Sequence, residues 1–132
     1  MLIEGLHGET GTPIVGAFNR DALFVAFDAN LADAYAEDRV VHRVRYESTN
    51  PLDITDPAQF KVMWTESGAA ITEGAFHPVV TGTVNRWARA RGYDAIRLLP
   101  VLFDSDEGWE MAGGTYGEPQ AILLYPNRAT FE

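Results

Sequence analysis

Between Arg39 and Glu47 the chain reads RVVHRVRYE, and its side chains alternate with a period of two. Val40, His42, Val44 and Tyr46 fall on one side, and Val41, Arg43 and Arg45 on the other. That period belongs to a strand with one face buried. The other apolar runs are short and cut by glycine, proline or an acid, so they extend the reading to a sheet. Met1–Leu6 predicts a first strand ending at His7, and Gly8–Gly16, with three glycines and Pro13, a loop. Ala22–Phe27 is an apolar strand ended by Asp28. Tyr93–Leu99 is another, broken by Pro100, with Val101–Phe103 continuing the extension. Ala121–Tyr125 is the last.

Helical signals lie between these runs. Asn30 can cap a short helix over Leu31–Glu37. Asp56 followed by Pro57 starts a second, with Phe60, Met63 and Trp64 on one face and Gly68 as its stop. Thr81 caps a third, whose Val84, Trp87 and Ala88 make an apolar stripe closed by Gly92. The stretch STNPLDITDP reads as a turn-rich connection, Ala69–Val80 carries no clear pattern, and Asp104–Gly117 reads as a polar loop with four glycines. Strands and helices mix without strict alternation, which predicts an α+β fold. No linker or repeat divides the chain, so residues 1–132 are expected to form a single domain.

Acids outnumber bases by 19 to 10, giving a formal charge of −9. A nucleic-acid partner would call for gathered lysine and arginine, so DNA and RNA are not expected. A basic protein partner is compatible with this charge, and so is an acidic surface that serves solubility alone. No apolar stretch approaches the roughly 20 residues of a membrane span, and the first residues, MLIEGLHGE, show no signal-peptide pattern. There is no cysteine, and His7, His42 and His77 lack ligand-like spacing, so no metal site is expected. Phosphate-loop, dinucleotide-fingerprint and nucleophile-elbow motifs are also missing.

Three segments can carry chemistry. In LHGET, a histidine ends a strand and the following glycine lets a flat ligand approach the backbone; the alternative for His7 is a packed core histidine. FVAFDANLADAY sets Phe24 on a strand and Tyr35 on the next helix, able to stand either side of a planar ring or to serve as core aromatics. GYDAIRLL leads through the acidic loop to GEPQAILLYP, where Glu118 and Gln120 precede an apolar strand and alternate onto one side of it.

The order of these pieces resembles the ADP-ribosyltransferase fold, in the His-Tyr-Glu branch that includes diphtheria-like toxins and poly(ADP-ribose) polymerases. That family opens on a strand ending in His-Gly-Thr, continues with an aromatic-bearing strand and an Ala-x-x-Tyr helix, and closes with a glutamate entering a strand, often after Gly-Tyr-Asp. Here the matching pieces are His7-Gly8, Phe24, Ala32 with Tyr35, Gly92-Tyr93-Asp94 and Gln120. YESTNPLDI is similar to the segment after the third strand in small phage- and toxin-type members. The resemblance implies a split β-sheet core with short flanking helices.

It also implies NAD as substrate and a mono-ADP-ribosyltransferase that modifies a protein partner and releases nicotinamide, acting in the cytoplasm of a producing or target cell. By the same resemblance, His7 would bind a ribose hydroxyl, the Gly8 backbone would hold the nicotinamide amide, Thr10 would also bind the cofactor, and Phe24 and Tyr35 would enclose the ring. Gln120 takes the catalytic position, and Trp109, Glu110 and Tyr116 belong to a target-recognition loop. Three departures stand out: Phe24 replaces a tyrosine, Glu9 separates Thr10 from His-Gly, and Gln120 replaces the glutamate.

A glutamine accepts a hydrogen bond but carries no charge for an oxocarbenium-like transition state. Losing such a preorganised group costs on the order of 2.7–4 kcal/mol. Glu118 either supplies the missing charge, orients an acceptor, or is a turn residue beside Pro119. The alternatives to a transferase are an inactive binding or inhibitor protein of the same fold, and an NAD glycohydrolase.

Overall fold

The period-two segment forms the strand it predicts, and it sits beside the first strand along the whole length of both. The computed structural model describes residues 1–8, 22–27, 41–69, 78–113 and 118–132. In chain order these give β1 (Leu2–Gly8), β2 (Leu23–Ala26), β3 (Val41–Glu47), β4 (Pro51–Ile54), α1 (Pro57–Ser67), α2 (Pro78–Ala90), β5 (Ala95–Leu98), α3 (Asp106–Gly113), β6 (Gln120–Leu123) and β7 (Thr130–Phe131). Short 3-10 turns occupy Pro100–Asp104 and Pro126–Arg128. The architecture is α+β, with strand order β4-β5-β6-β2-β1-β3-β7 in one mixed sheet. Only the β4–β5 pair is parallel among the described strands.

The pleat explains which residues form the core. Register places Ile54, Leu98, Gln120, Ala26 and Leu6 in line across five strands, and neighbours in line share a face. Phe24, Ile96 and Ile122 lie on that same face and pack with Phe60, Met63 and Trp64 of α1, Val84 and Ala88 of α2, and Ala112 of α3. The opposite face gathers Ile3, Leu23, Val25, Val44, Tyr46 and Leu123. Val44 and Tyr46 are thus buried as the alternation requires, while Arg43 and Arg45 stay exposed.

α1 begins where its sequence signals it. The Asp56 carboxylate accepts from the Gln59 amide at 2.9 Å, Pro57 opens the first turn, and Gly68 at φ +78° ends the helix in the left-handed region. α2 starts at Pro78, three residues before the predicted Thr81 cap. Two segments differ in kind. Val101–Phe103 lies in a 3-10 turn rather than an extension, because Pro100 fixes a helical φ at its start. Most of the predicted polar loop is helix: Asp106 and Glu107 occupy the first turn of α3, where carboxylates favour the unpaired amides. β4 was not predicted, because Pro51 and the turn residues before it mask the strand. The predicted helix Leu31–Glu37 lies outside the described residues.

Candidate functional site

Among the described residues, neighbouring strands pair at two or more positions at every junction but one, the seam between β1 and β2. β1 and β3 pair from Leu2↔Glu47 to Gly8↔Val41, and β2 and β6 from Leu23↔Leu123 to Ala26↔Gln120. Among the described residues, β1 and β2 are bridged at Leu6↔Ala26 alone. The strands β4-β5-β6-β2 on one side and β1-β3-β7 on the other therefore meet at a single bridged pair of described residues. Their backbones approach closely there: a Cβ on Gly5 would lie 3.0 Å from the Ala26 carbonyl oxygen and from Val25 Cβ.

His7 follows the bridged pair, and its ring reaches across the seam. Nδ1 stands 2.8 Å from the Phe24 carbonyl oxygen. A carbonyl only accepts, so Nδ1 carries the hydrogen and the tautomer is set by this bond. The imidazole is buried, at 6% exposure. Phe24 is half-buried against the helix-side core.

Gln120 opens β6, the strand on the far side of β2, so about 10 Å separates its strand from β1. Its side chain is 1% exposed, and Nε2 donates to the Glu118 backbone carbonyl at 3.3 Å. Glu118 itself is half-buried.

The fold thus draws His7, Phe24 and Gln120 onto three adjacent strands from distant positions in the chain. It does not gather them on one face. The pleat sets Phe24 and Gln120 on the helix side with Ala26, whereas His7, one residue beyond Leu6, alternates to the other side and meets Phe24 through its backbone. Gly8 ends β1, paired with Val41. Thr10, Tyr35 and Tyr116 lie outside the described residues. Trp109 and Glu110 sit on α3 and not on a loop; both are exposed, and the Trp109 ring meets Phe103 edge-on with centroids 5.7 Å apart.

A cleft of about 530 Å³ opens against the seam. Gly5, Leu6, Ala26 and Phe27 line it, with Arg43 and Arg45 on the β3 side. Arg45 Nε pairs with Glu4 at 3.1 Å. The volume falls in the usual range for small-molecule sites, roughly 300–1,000 Å³. Neither His7 nor Gln120 lines the cleft, but Leu6 precedes the first and Ala26 is the register partner of the second.

A second polar centre was not anticipated, although both of its halves stood out in the sequence. Asp94, of GYD, is 4% exposed and accepts from Ser48 Oγ (2.5 Å), the Thr49 amide (2.7 Å), the Asn50 amide (3.2 Å) and Arg128 (3.2 Å). The first three donors come from YESTN, and Arg128 from the turn before β7. GYD and YESTN bind each other, holding the β3–β4 turn to the start of β5. Burial alone would raise the Asp94 pKa, but the bonds from Ser48, Thr49 and Asn50 outweigh it and hold the carboxyl at about 2. A Ser-Thr-Asn run rich in donors was the available signal for a buried acceptor.

No protein-family model matches the chain, and no curated protein matches it. Among solved structures, the crystal structure of an anti-CRISPR protein aligns over 100% of this chain and 95% of that chain, at 19% identity and a TM-score of 0.48.

Proposed function

We propose that this chain is an ADP-ribosyltransferase acting on a protein partner, with NAD as substrate and the seam between β1 and β2 as the place where the dinucleotide is held. The observation that supports the reading is the adjacency of β1, β2 and β6, with a single described bridge between β1 and β2 and a cleft against it. The bond broken is the glycosidic bond from nicotinamide to ribose. The bond formed joins the same ribose carbon to a nucleophilic side chain of the partner, whose proton is released. In this reading the buried His7 ring, which the pleat sets on the face opposite Phe24 and Gln120, turns through the seam to hold a ribose hydroxyl, and the Gly8 backbone meets the nicotinamide amide. Phe24 supplies one ring face, with Tyr35 as the other. Glu118 supplies the negative charge that Gln120 lacks. Trp109 and Glu110 belong to the partner-facing side, and the reaction belongs in the cytoplasm of a producing or target cell.

NAD labelled on nicotinamide and, separately, on the adenylate tests this with candidate partner lysate. The enzyme should release nicotinamide and label protein, and His7→Ala should abolish both while the far-ultraviolet spectrum stays unchanged. Gln120→Glu should raise the rate by a hundredfold or more, the equivalent of about 2.7–4 kcal/mol of charge stabilisation. Glu118→Gln should lower it; unchanged labelling would remove Glu118 from the mechanism.

A second reading is favoured by one observation. Gln120 is buried, neutral and tied to the Glu118 backbone, which suits a protein of this fold that binds or inhibits a partner without turnover. NAD bound without nicotinamide release would select it. Release without labelled protein would select a glycohydrolase.

A further inference from the structure

We propose that the groove between β4, α1 and α2 docks an extended peptide segment of a protein partner, one carrying an apolar side chain flanked by lysine or arginine. The inference is independent of the transferase reading, since the groove lies at the edge of the sheet away from the seam.

Two independent features coincide there. The first is the backbone of the edge strand. Leu99 N–H donates to the Ile54 carbonyl, so Ile54 and, by alternation, Leu52 turn their backbone groups to β5. Pro51, Asp53 and Thr55 then turn theirs outward. Pro51 has no N–H, and the Thr55 N–H is taken by Gln59 Oε1 at 2.7 Å. Both ends of the edge are thereby blunted against indiscriminate pairing. Asp53 is left between them with an outward N–H and C=O that pair with no described residue. One donor and one acceptor at a single residue are what an added strand takes up.

The second feature is the groove beside that residue, about 350 Å³ in volume. Leu52, Met63, Trp87 and Tyr93 wall it, and Val62 stands at its mouth at 50% exposure. An apolar side chain from every second residue of an added strand would enter it. Charge chooses the flanks. Asp56 and Glu66 border the groove against a single guanidinium, Arg91, which pairs with Glu66 at 3.0 Å and lies over the Trp87 ring at 5.0 Å. The chain as a whole carries −9. Basic flanks complement that field, whereas acidic ones oppose it.

The test is a synthetic hexapeptide array, apolar at alternate positions, with the flanking positions varied among Lys, Glu and Ser. Fluorescently labelled full-length protein should select Lys-flanked peptides. Val62→Glu should weaken the selected signal at least tenfold, and Glu66→Lys should shift preference toward Glu flanks. Leu2→Glu, at a comparably exposed apolar residue (46%) on β1, four strands away from β4 in the sheet, should change nothing. Binding of the best peptide should also protect the Asp53 amide from hydrogen exchange. No selection among peptides, selection indifferent to Val62→Glu, or an Asp53 amide that exchanges unchanged in the complex would each overturn the proposal.

Discussion

Asp94 shows how a single carboxylate can join two parts of this fold. Ser48, Thr49, Asn50 and Arg128 donate to its side chain, and the Tyr46 hydroxyl donates to its backbone carbonyl at 2.7 Å. Burial pushes the Tyr46 phenol up to about 12, so it remains a donor at any ordinary pH. The folded Asp94 pKa of about 2 lies below the ordinary value of 3.8. A depressed pKa contributes stability that is complete above the unfolded value and is lost as pH falls through the folded one. Asp94 should therefore contribute on the order of 2 kcal/mol above about pH 4, fading between pH 3.8 and 2. Urea unfolding at pH 7 and at pH 2.5 measures this. Asp94→Asn should lose roughly 2–3 kcal/mol at pH 7, because one amide nitrogen cannot accept from the same donors. It should also flatten the acid limb. A variant as stable as the parent at pH 7 would show that the network contributes nothing net.

At the scale of elements, α3 depends on one missing side chain. Gly108 is buried beneath the 3-10 turn, and a Cβ there would overlap the Leu102 backbone carbonyl. Backbone cannot yield as a side-chain tip can, so Gly108→Ala should lift α3 from the turn and cost roughly 3 kcal/mol. Thermal unfolding reads the loss; a midpoint within a degree of the parent would contradict it.

That same glycine hid the helix from sequence reading, since a Gly-rich acidic run resembles a loop until its packing partner is known. β3 and α1 were legible because a local pattern, period two in one and Asp-Pro with an apolar stripe in the other, already specifies them. β4 was not, because Pro51 and Asp53 disfavour a strand and only parallel pairing with β5 makes one. Of the site, the adjacency of the strands bearing His7, Phe24 and Gln120 was foreshadowed by their order. The faces they occupy were not, since a pleat's phase is fixed by pairing partners that no local window contains.

For the molecule as a whole, the proposed activity depends on the seam between β1 and β2. Among the described residues, a sheet paired along its length on both sides is joined across the middle by Leu6↔Ala26, with an imidazole beside that bridge and a cleft against it. Such a junction can admit a ligand at less cost than a continuous ladder, where every backbone bond would have to part. The measurement that addresses it most directly is a titration of NAD into the isotopically labelled protein, following the His7 ring signals and the Leu6 and Ala26 methyls by nuclear magnetic resonance. Saturable shifts are expected at all three, with Trp64 in the helix-side core unmoved. Millimolar NAD that leaves the seam signals where they were would contradict the proposed activity.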